Sequence, residues 1–211
     1  VPPTLVSFAV DMAVEKEIIT PELKEAGNKL VWLKAARDEY DLPVYSRIME
    51  QYSKFTEDIR NGRVVSAYAL DRHGVVSAVS KMAFGNQMGV CLESSLDKDA
   101  IFAPAFGDIV AEVKADTFEE LVGEYTLIGE VTNEKAFAYG DVKIGMDDAL
   151  DAWTKPLEKV FATKSAESSD IPVEEKLYDA STVHVCSHKI GQPTVFIPVF
   201  PGTNCEYDSA R

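Results

Sequence analysis

Hydrophobic positions along the chain follow two spacings, one typical of strands and one typical of helices. At residues 4–12 every second residue is large and apolar, which predicts a half-buried strand. A spacing of about 3.6 residues predicts helices at residues 44–60, 74–84 and 147–161, the last divided by Pro156. Short apolar runs predict further strands at residues 29–35, 64–70, 88–92, 109–113, 126–131, 134–139 and 194–200.

The order of these elements points to one fold class. Strands and helices interleave without strict alternation, and three strand-like segments follow one another between residues 109 and 139. We expect residues 134–139 to pair with the preceding strand through Asn133. The pattern favours an α+β fold, with helices layered on a mixed or antiparallel sheet, over a doubly wound parallel sheet.

Domain organisation is indicated by a change in composition after residue 163. Residues 1–163 carry the predicted sheet and helices, whereas residues 164–192 are polar, acidic and poor in core-forming residues, as in a linker. Residues 193–211 show a strand, a turn and the start of a helix, which is how many α/β domains begin. The chain starts on Val1 without a methionine and stops at Arg211 inside that helix, so we expect a piece of a longer protein.

Charge and cysteine content limit the possible partners. The chain holds 35 acidic and 21 basic residues, a net charge of −14, which disfavours nucleic acids and anionic membrane surfaces. No apolar run approaches the roughly 18–20 residues of a membrane-spanning helix. The three cysteines are too few and too widely spaced for a secreted disulfide framework, so we expect a cytoplasmic protein.

The first candidate site is the segment from Asp71 to Gly74, between a predicted strand and a predicted helix. Unpaired N–H groups and the positive dipole at a helix start can hold a phosphate, so Asp71 and Gly74 are candidate nucleotide-binding residues. The competing interpretation is that Asp71 only caps the helix and His73 is an ordinary loop residue. Trp32 and Trp153 are expected in the core.

A second candidate is a metal or thiol module near the end of the chain. His184, Cys186 and His188 alternate and would share one face of a strand, but their spacing matches no common zinc module. Cys205 follows a turn at a helix start, where the pKa of a thiol falls, yet the sequence ties no base to it. Incidental structural residues are the competing interpretation for both.

Two stretches together resemble one family. Residues 195–206 (VFIPVFPGTNCE) resemble the opening of the glutaminase domain of phosphoribosylformylglycinamidine synthase, the purine-pathway amidotransferase. Residues 69–76 (ALDRHGVV) and 81–84 (KMAF) are similar to the Asp-x-Ser-Asp-Gly-Gly-Leu and Glu-Met-Ala-Phe motifs of the aminoimidazole ribonucleotide synthetase superfamily. Residues 101–107 (IFAPAFG) and 127–131 (LIGEV) resemble that superfamily's Leu-Phe-Asn-Glu-Glu-Leu-Gly and Ile-Gly-Glu-Val.

The resemblance implies a particular place in a large single-chain enzyme. Residues 1–163 would be its second C-terminal synthetase-type domain, residues 164–192 a linker, and residues 193–211 the start of a class I glutamine amidotransferase domain. The partner of this piece would be the rest of the same polypeptide. The whole enzyme would use ATP and Mg²⁺ to convert formylglycinamide ribonucleotide to formylglycinamidine ribonucleotide with glutamine as nitrogen donor.

Departures from the family motifs imply that this half has lost catalysis. Ala69 stands where the family has a metal-binding Asp, Asp71 replaces its Ser, and His73 replaces one Gly. The Asn-Glu-Glu run has become residues 103–105 (APA). The resemblance therefore implies a scaffold with no catalytic residue, metal or cofactor of its own, or alternatively an auxiliary ADP- or ATP-binding domain. The resemblance also implies that Cys205 is not the glutaminase nucleophile, because the family's nucleophilic Cys lies in a later Gly-x-Cys motif.

Overall fold

The computed structural model describes residues 6–163, 185, 187–188, 191–192 and 194–211. The chain divides into two compact units, residues 1–165 and 166–211. The strands of the first unit are β1 (Lys29–Leu33), β2 (Val64–Ala69), β3 (Gly89–Leu92), β4 (Ile109–Val113), β5 (Thr126–Thr132), β6 (Ala136–Tyr139) and β7 (Val142–Gly145). Its helices are α1 (Tyr45–Arg60), α2 (Gly74–Asn86), α3 (Lys98–Phe102) and α4 (Met146–Thr154). In the second unit the described residues include one helix, α5 (Glu206–Ser209).

The seven strands form one sheet in the order β2-β4-β1-β5-β3-β6-β7. Neighbouring strands are antiparallel, apart from the parallel pair of β3 and β6. β1 and β4 pair over their full length, with Lys29 opposite Val113 and Leu33 opposite Ile109. The predicted α+β class with a layered, mixed sheet is confirmed.

Side chains on both faces of the sheet are buried. On β1, Leu30 and Trp32 join a core formed with α2, whereas Val31 and Leu33 face a second core that includes Phe55 of α1. A strand covered on both faces reads as a continuous apolar run rather than an alternating one. This explains why residues 29–35 were recognisable as a strand without a period of two.

Two buried carboxylates connect loops to this framework. Glu112 on β4 is fully buried and accepts hydrogen bonds from the backbone N–H groups of Lys24 and Glu25 and from the side chains of Asn28 and Ser66, at 2.7–3.0 Å. Because all these donors lose water on folding, the carboxylate both satisfies them and fixes the loop before β1.

Asp58 plays the same part at the end of α1. It is fully buried and accepts hydrogen bonds from the Tyr125 hydroxyl at 2.7 Å, the Arg63 guanidinium, and the backbone N–H groups of Val122 and Gly123. Burial, followed by the contact with Asp58, raises the pKa of Tyr125 above its ordinary value. The loop before β5 is thereby tied to α1.

Two of the predicted strands do not form in the described residues. Of residues 4–12, those from 6 onward are described; they form no strand, and Phe8, Val10 and Met12 are 88–97% exposed. Alternation shows which side chains could share a face, but a strand also requires a neighbouring strand for its N–H and C=O groups. The predicted strand at residues 194–200 is wrong for the same reason, and Pro198 further lacks an N–H group.

The predicted pairing of β6 is also wrong. β6 does not form a hairpin with β5; it lies beside β3 and continues through a turn at Gly140 into β7, which the sequence analysis missed along with the short helix α3. The helix predicted over residues 147–161 ends at Thr154, and a 3₁₀ turn at Lys155–Leu157 follows. Pro156 accounts for this division, as expected, because it cannot donate to a helical hydrogen bond.

None of the helices in the described part of the chain is both long and apolar enough to cross a bilayer.

Candidate functional site

The turn from β2 to α2 is built around Asp71 and Gly74. The Asp71 carboxylate accepts a hydrogen bond of 2.7 Å from the backbone N–H of His73. Its backbone carbonyl accepts from the N–H groups of Gly74 at 3.3 Å and Ala105 at 3.1 Å. Asp71 therefore organises the turn, whereas the residue directly before the helix is His73.

Gly74 is required by two features of its surroundings. Its φ of +67° is in the left-handed region, and a Cβ added there would lie 2.5 Å from the carbonyl oxygen of Ala103 and 2.8 Å from that of Ile101. The end of α3 thus packs directly against the first residue of α2. Gly74 allows the backbones of α2 and α3 to pack closely, and these carbonyl groups occupy the space that a side chain would need.

Electrostatic contacts link Asp71 to Lys81, two turns along α2. The Lys81 Nζ lies 3.6 Å from the Asp71 carboxylate and 5.3 Å from the centre of the Tyr68 ring. The hydrogen bond from the N–H of His73, and then the charge of Lys81, lower the pKa of Asp71. Hydrogen bonding to Tyr68, with a smaller contribution from Asp71, raises the pKa of Lys81 and keeps it a cation.

A pocket of about 490 Å³ opens beside this turn. It is lined by Arg72, His73, Val76, Ser77, Lys81, Phe102 and Trp153. Ser77 and Lys81 are four residues apart on α2 and project from one face of the helix, and His73, four residues before Ser77, directly precedes the helix. Three basic side chains thus meet beside a hydroxyl group in a chain whose net charge is −14. We refer to this site as the basic pocket.

Trp153 forms an aromatic wall of the basic pocket. Its ring stacks on Phe84 with 5.5 Å between centroids, and the side chain is 57% exposed. The expectation that Trp153 lies in the core is wrong, whereas Trp32 is buried as expected. A basic, hydroxyl-bearing pocket with an exposed indole suits an anionic ligand that also has a planar ring.

The two candidate residues from the sequence lie next to the basic pocket but do not line it. Gly74 is buried under α3, and Asp71 acts through Lys81. Sequence reasoning missed Ser77, Lys81, Phe102 and Trp153 as site residues. The spacing of Ser77 and Lys81 along one helix face was a usable signal for part of the pocket, whereas the positions of Phe102 and Trp153 depend on how α3 and α4 pack.

The residues that depart from the family motifs come together at the same turn. Ala69 ends β2 two residues before Asp71, and Ala105 donates its N–H to the Asp71 carbonyl. The resemblance implies carboxylates at these two positions in the family, where they would be neighbours. Among the described residues no group of three or more His, Cys, Asp or Glu side chains is arranged to hold a metal ion. The side chains at this turn do not fit a metal–nucleotide site of the catalytic kind.

The metal or thiol module falls largely outside the described residues. His184 and Cys186 are not among them, so their contacts with His188 stay a prediction. The His188 Nδ1 lies 3.0 Å from the Ser187 hydroxyl. Cys205 is an exposed free thiol with a φ of +63°, directly before the four-residue helix α5.

Asp71 and Asp108, both near the end of β2, are expected to have pKa values on opposite sides of 3.8, the usual value for Asp. Burial raises the pKa of Asp108, which accepts hydrogen bonds from the Trp32 indole and the Ala35 N–H, whereas Asp71 has a lowered pKa. Asp108 therefore contributes most to the free energy of unfolding in acid, and this contribution is lost as pH rises through its raised pKa. Asp71 behaves in the opposite way: its contribution is present at pH values above the usual Asp pKa and is lost as pH falls through its lowered pKa. Carbon-detected NMR titration should place the midpoints on either side of 3.8, and two midpoints on the same side would refute the assignment.

Comparison with known proteins places the fold. No protein-family model matches the sequence. Over 127 residues the chain is 30% identical to phosphoribosylformylglycinamidine synthase subunit PurL of Limosilactobacillus fermentum, a match that covers 56% of this chain and 17% of that protein. The chain is thus similar in sequence to PurL. It spans less than a fifth of that relative's length.

Solved PurL structures share the fold at low sequence identity. The PurLQS structure from Thermotoga maritima matches with a TM-score of 0.55 and 13% identity over 65% of this chain and 28% of that one. Thermotoga maritima PurL complexed with ATP gives a TM-score of 0.53 and 14% identity over 64% of this chain and 27% of that one. These matches confirm an aminoimidazole ribonucleotide synthetase-like fold.

Proposed function

We propose that this chain supplies a synthetase-type domain to an ATP-dependent, glutamine-using ligase that converts formylglycinamide ribonucleotide to formylglycinamidine ribonucleotide. The observation that carries the proposal is the 30% identity to PurL over 127 residues, supported by the shared fold. The match covers only 17% of PurL, so the rest of a longer polypeptide, including a glutaminase domain, would complete the enzyme. A cytoplasmic location belongs to the same proposal.

Within that enzyme the domain acts as a scaffold rather than as a catalytic half. ATP would activate the amide oxygen of the substrate, and ammonia would displace phosphate, a reaction in which a cation must screen the transferred phosphoryl group. The methyl side chains of Ala69 and Ala105 offer no oxygen ligand for that cation at the β2–α2 turn. The packed α2–α3 junction and the carboxylate-bound loops instead provide a rigid surface for the rest of the enzyme to dock on.

Glutamine use can be tested on the purified chain. Glutamate release from glutamine should stay at the buffer background, because the resemblance assigns no glutaminase nucleophile to residues 193–211. A Cys205→Ser variant is the matched control for the exposed thiol. Glutamate release that disappears in Cys205→Ser would overturn the proposal and restore Cys205 as a nucleophile.

A second function, auxiliary nucleotide binding, is favoured by the basic pocket. Arg72 and Lys81 suit the phosphates of ADP, and the exposed face of Trp153 suits a stacked base, a contact worth about 1–3 kcal/mol in other proteins. Asp71 would position Lys81 in this role. The site would be structural, since it lacks the carboxylates of a catalytic one.

ADP should quench the fluorescence of Trp153 saturably, with a dissociation constant in the micromolar range. Lys81→Met should weaken ADP about tenfold or more, because one charge-assisted hydrogen bond to phosphate is lost. Lys54→Met is the control, since Lys54 is on α1, where it pairs with Glu50. Quenching that persists in Trp153→Phe, or no saturable quenching at millimolar ADP, would remove the nucleotide function and leave the scaffold.

The metal or thiol module is the third possibility, and it rests on His184, Cys186, His188 and Cys205. Metal analysis of protein purified without a histidine tag tests it directly. One zinc per chain, lost on replacing Cys186 with serine, would establish the module. A chain without stoichiometric zinc would remove its metal form.

A further inference from the structure

A second pocket, of about 240 Å³, lies between the helices and the far edge of the sheet. Its walls come from α2, α3 and α4 and from strands β3, β6 and β7, and they are almost entirely aliphatic or aromatic. Val76 and Phe102 line both this pocket and the basic pocket, but Val79, Ile101 and Ile144 belong to this one alone. We refer to it as the apolar pocket.

The apolar pocket is open at the β6–β7 hairpin. Val142 and Ile144 on β7 are 57% and 48% exposed, whereas Val79 and Ile101 at the inner end are 2% exposed. Protein interiors contain few voids larger than a water molecule. An enclosed apolar cavity of about 150 Å³ stays dry in water and binds benzene. The buried inner end of the apolar pocket has the same kind of lining, so it suits an apolar group better than water.

Of the three polar side chains that line the apolar pocket, two donate hydrogen bonds to backbone carbonyl groups and the third does not. The Ser80 hydroxyl donates to the Val76 carbonyl at 2.8 Å, and the Tyr139 hydroxyl donates to the Leu96 carbonyl at 2.6 Å. Lys98 lines the same pocket and makes neither an ion pair nor a side-chain hydrogen bond with any described residue. The one charged side chain that lines this aliphatic pocket is thus a cation, on an exposed lysine.

We propose that the apolar pocket binds a small apolar carboxylate, with its hydrocarbon part between Val79 and Ile101 and its carboxylate paired with Lys98. The hydrocarbon part gains from leaving water, and the carboxylate at the rim stays partly hydrated while it pairs with the lysine. This site is independent of the proposed ligase function, because it uses neither the basic pocket's cations nor the β2–α2 turn.

Octanoate is the test ligand, and methyl NMR of the full chain is the measurement. Titration should shift the methyl signals of Val79, Ile101 and Ile144 saturably, with a dissociation constant below the millimolar range. The neutral analogue 1-octanol should bind about threefold to fivefold more weakly, as expected for losing one rim ion pair. Lys98→Met should abolish the difference in affinity between octanoate and 1-octanol, since methionine removes the charge but keeps a side chain of similar length at the pocket.

Two filling variants test the location. Ala149→Phe should abolish octanoate binding, because the new ring fills the pocket from α4. Ile144→Trp, at the exposed mouth of the pocket, should also abolish binding and replaces Ala149→Phe as the test if that variant does not fold. Ala152→Phe is the matched control, since Ala152 is exposed on the same helix and does not line the pocket. Binding that survives both filling variants, shifts spread over the surface, or equal affinity for octanol and octanoate would each overturn the proposal.

Discussion

Replacing Glu112 with glutamine is expected to lower the free energy of unfolding by about 2–6 kcal/mol, since two buried donors would each lose an acceptor at a cost of about 1–3 kcal/mol. Glu112 is fully buried, and its two carboxylate oxygens accept four hydrogen bonds. Glutamine has the same shape but puts an NH₂ group where one oxygen accepted two of them. Two donors would then face a third donor without water to replace the lost contacts.

Urea unfolding followed by circular dichroism measures this difference. Glu130→Gln is the control, because it is the same substitution on β5 of the same sheet, where the Glu130 side chain is 46% exposed and pairs with Lys29. That control should change the free energy by less than about 1 kcal/mol, as usual for exposed ion pairs. Equal effects of the two variants would show that the Glu112 network does not hold the loop before β1.

Replacing Gly74 with alanine is the second large effect, with an expected loss of about 2–5 kcal/mol. The left-handed backbone of Gly74 costs a side-chain-bearing residue about 1–2 kcal/mol. The new Cβ would also lie 2.5 Å from the Ala103 carbonyl oxygen, and relieving such overpacking costs about 1–3 kcal/mol more.

Gly140→Ala separates these two costs. Gly140, in the β6–β7 turn, also has a positive φ, of +55°, but no atom lies within 4 Å of the position its Cβ would take. This control should lose only the backbone contribution of about 1–2 kcal/mol. If both variants lose the same amount in urea unfolding, the close packing of α2 on α3 is not what requires Gly74.

Sequence patterns located most elements because their buried side chains leave a recognisable pattern of apolar residues in the sequence. Short apolar runs predicted β1 and β4, and a spacing of about 3.6 residues predicted the amphipathic helix α1. The choice of partner for β6 did not, because pairing with β3 depends on contacts between residues far apart in sequence. The same limit applies to residues 6–12, whose alternation is clear but which pair with no strand.

The candidate site was predicted only in part, and for a related reason. The motif around Asp71 and Gly74 located the turn, but their roles are to organise Lys81 and to admit α3. Trp153 and Phe102 belong to helices whose packing no local pattern reports. An aromatic residue on an amphipathic helix has the same periodicity whether it faces a core or a pocket, so Trp153 was assigned to the core.

We infer that this domain has the synthetase fold without its catalysis. The most direct measurement is formation of formylglycinamidine ribonucleotide by the full chain from formylglycinamide ribonucleotide, ATP, Mg²⁺ and ammonium, which bypasses any need for a glutaminase. An active PurL enzyme in the same assay confirms that the conditions support turnover. We expect product at the level of the protein-free control; ATP-dependent product that rises in proportion to the concentration of this chain would contradict the claim.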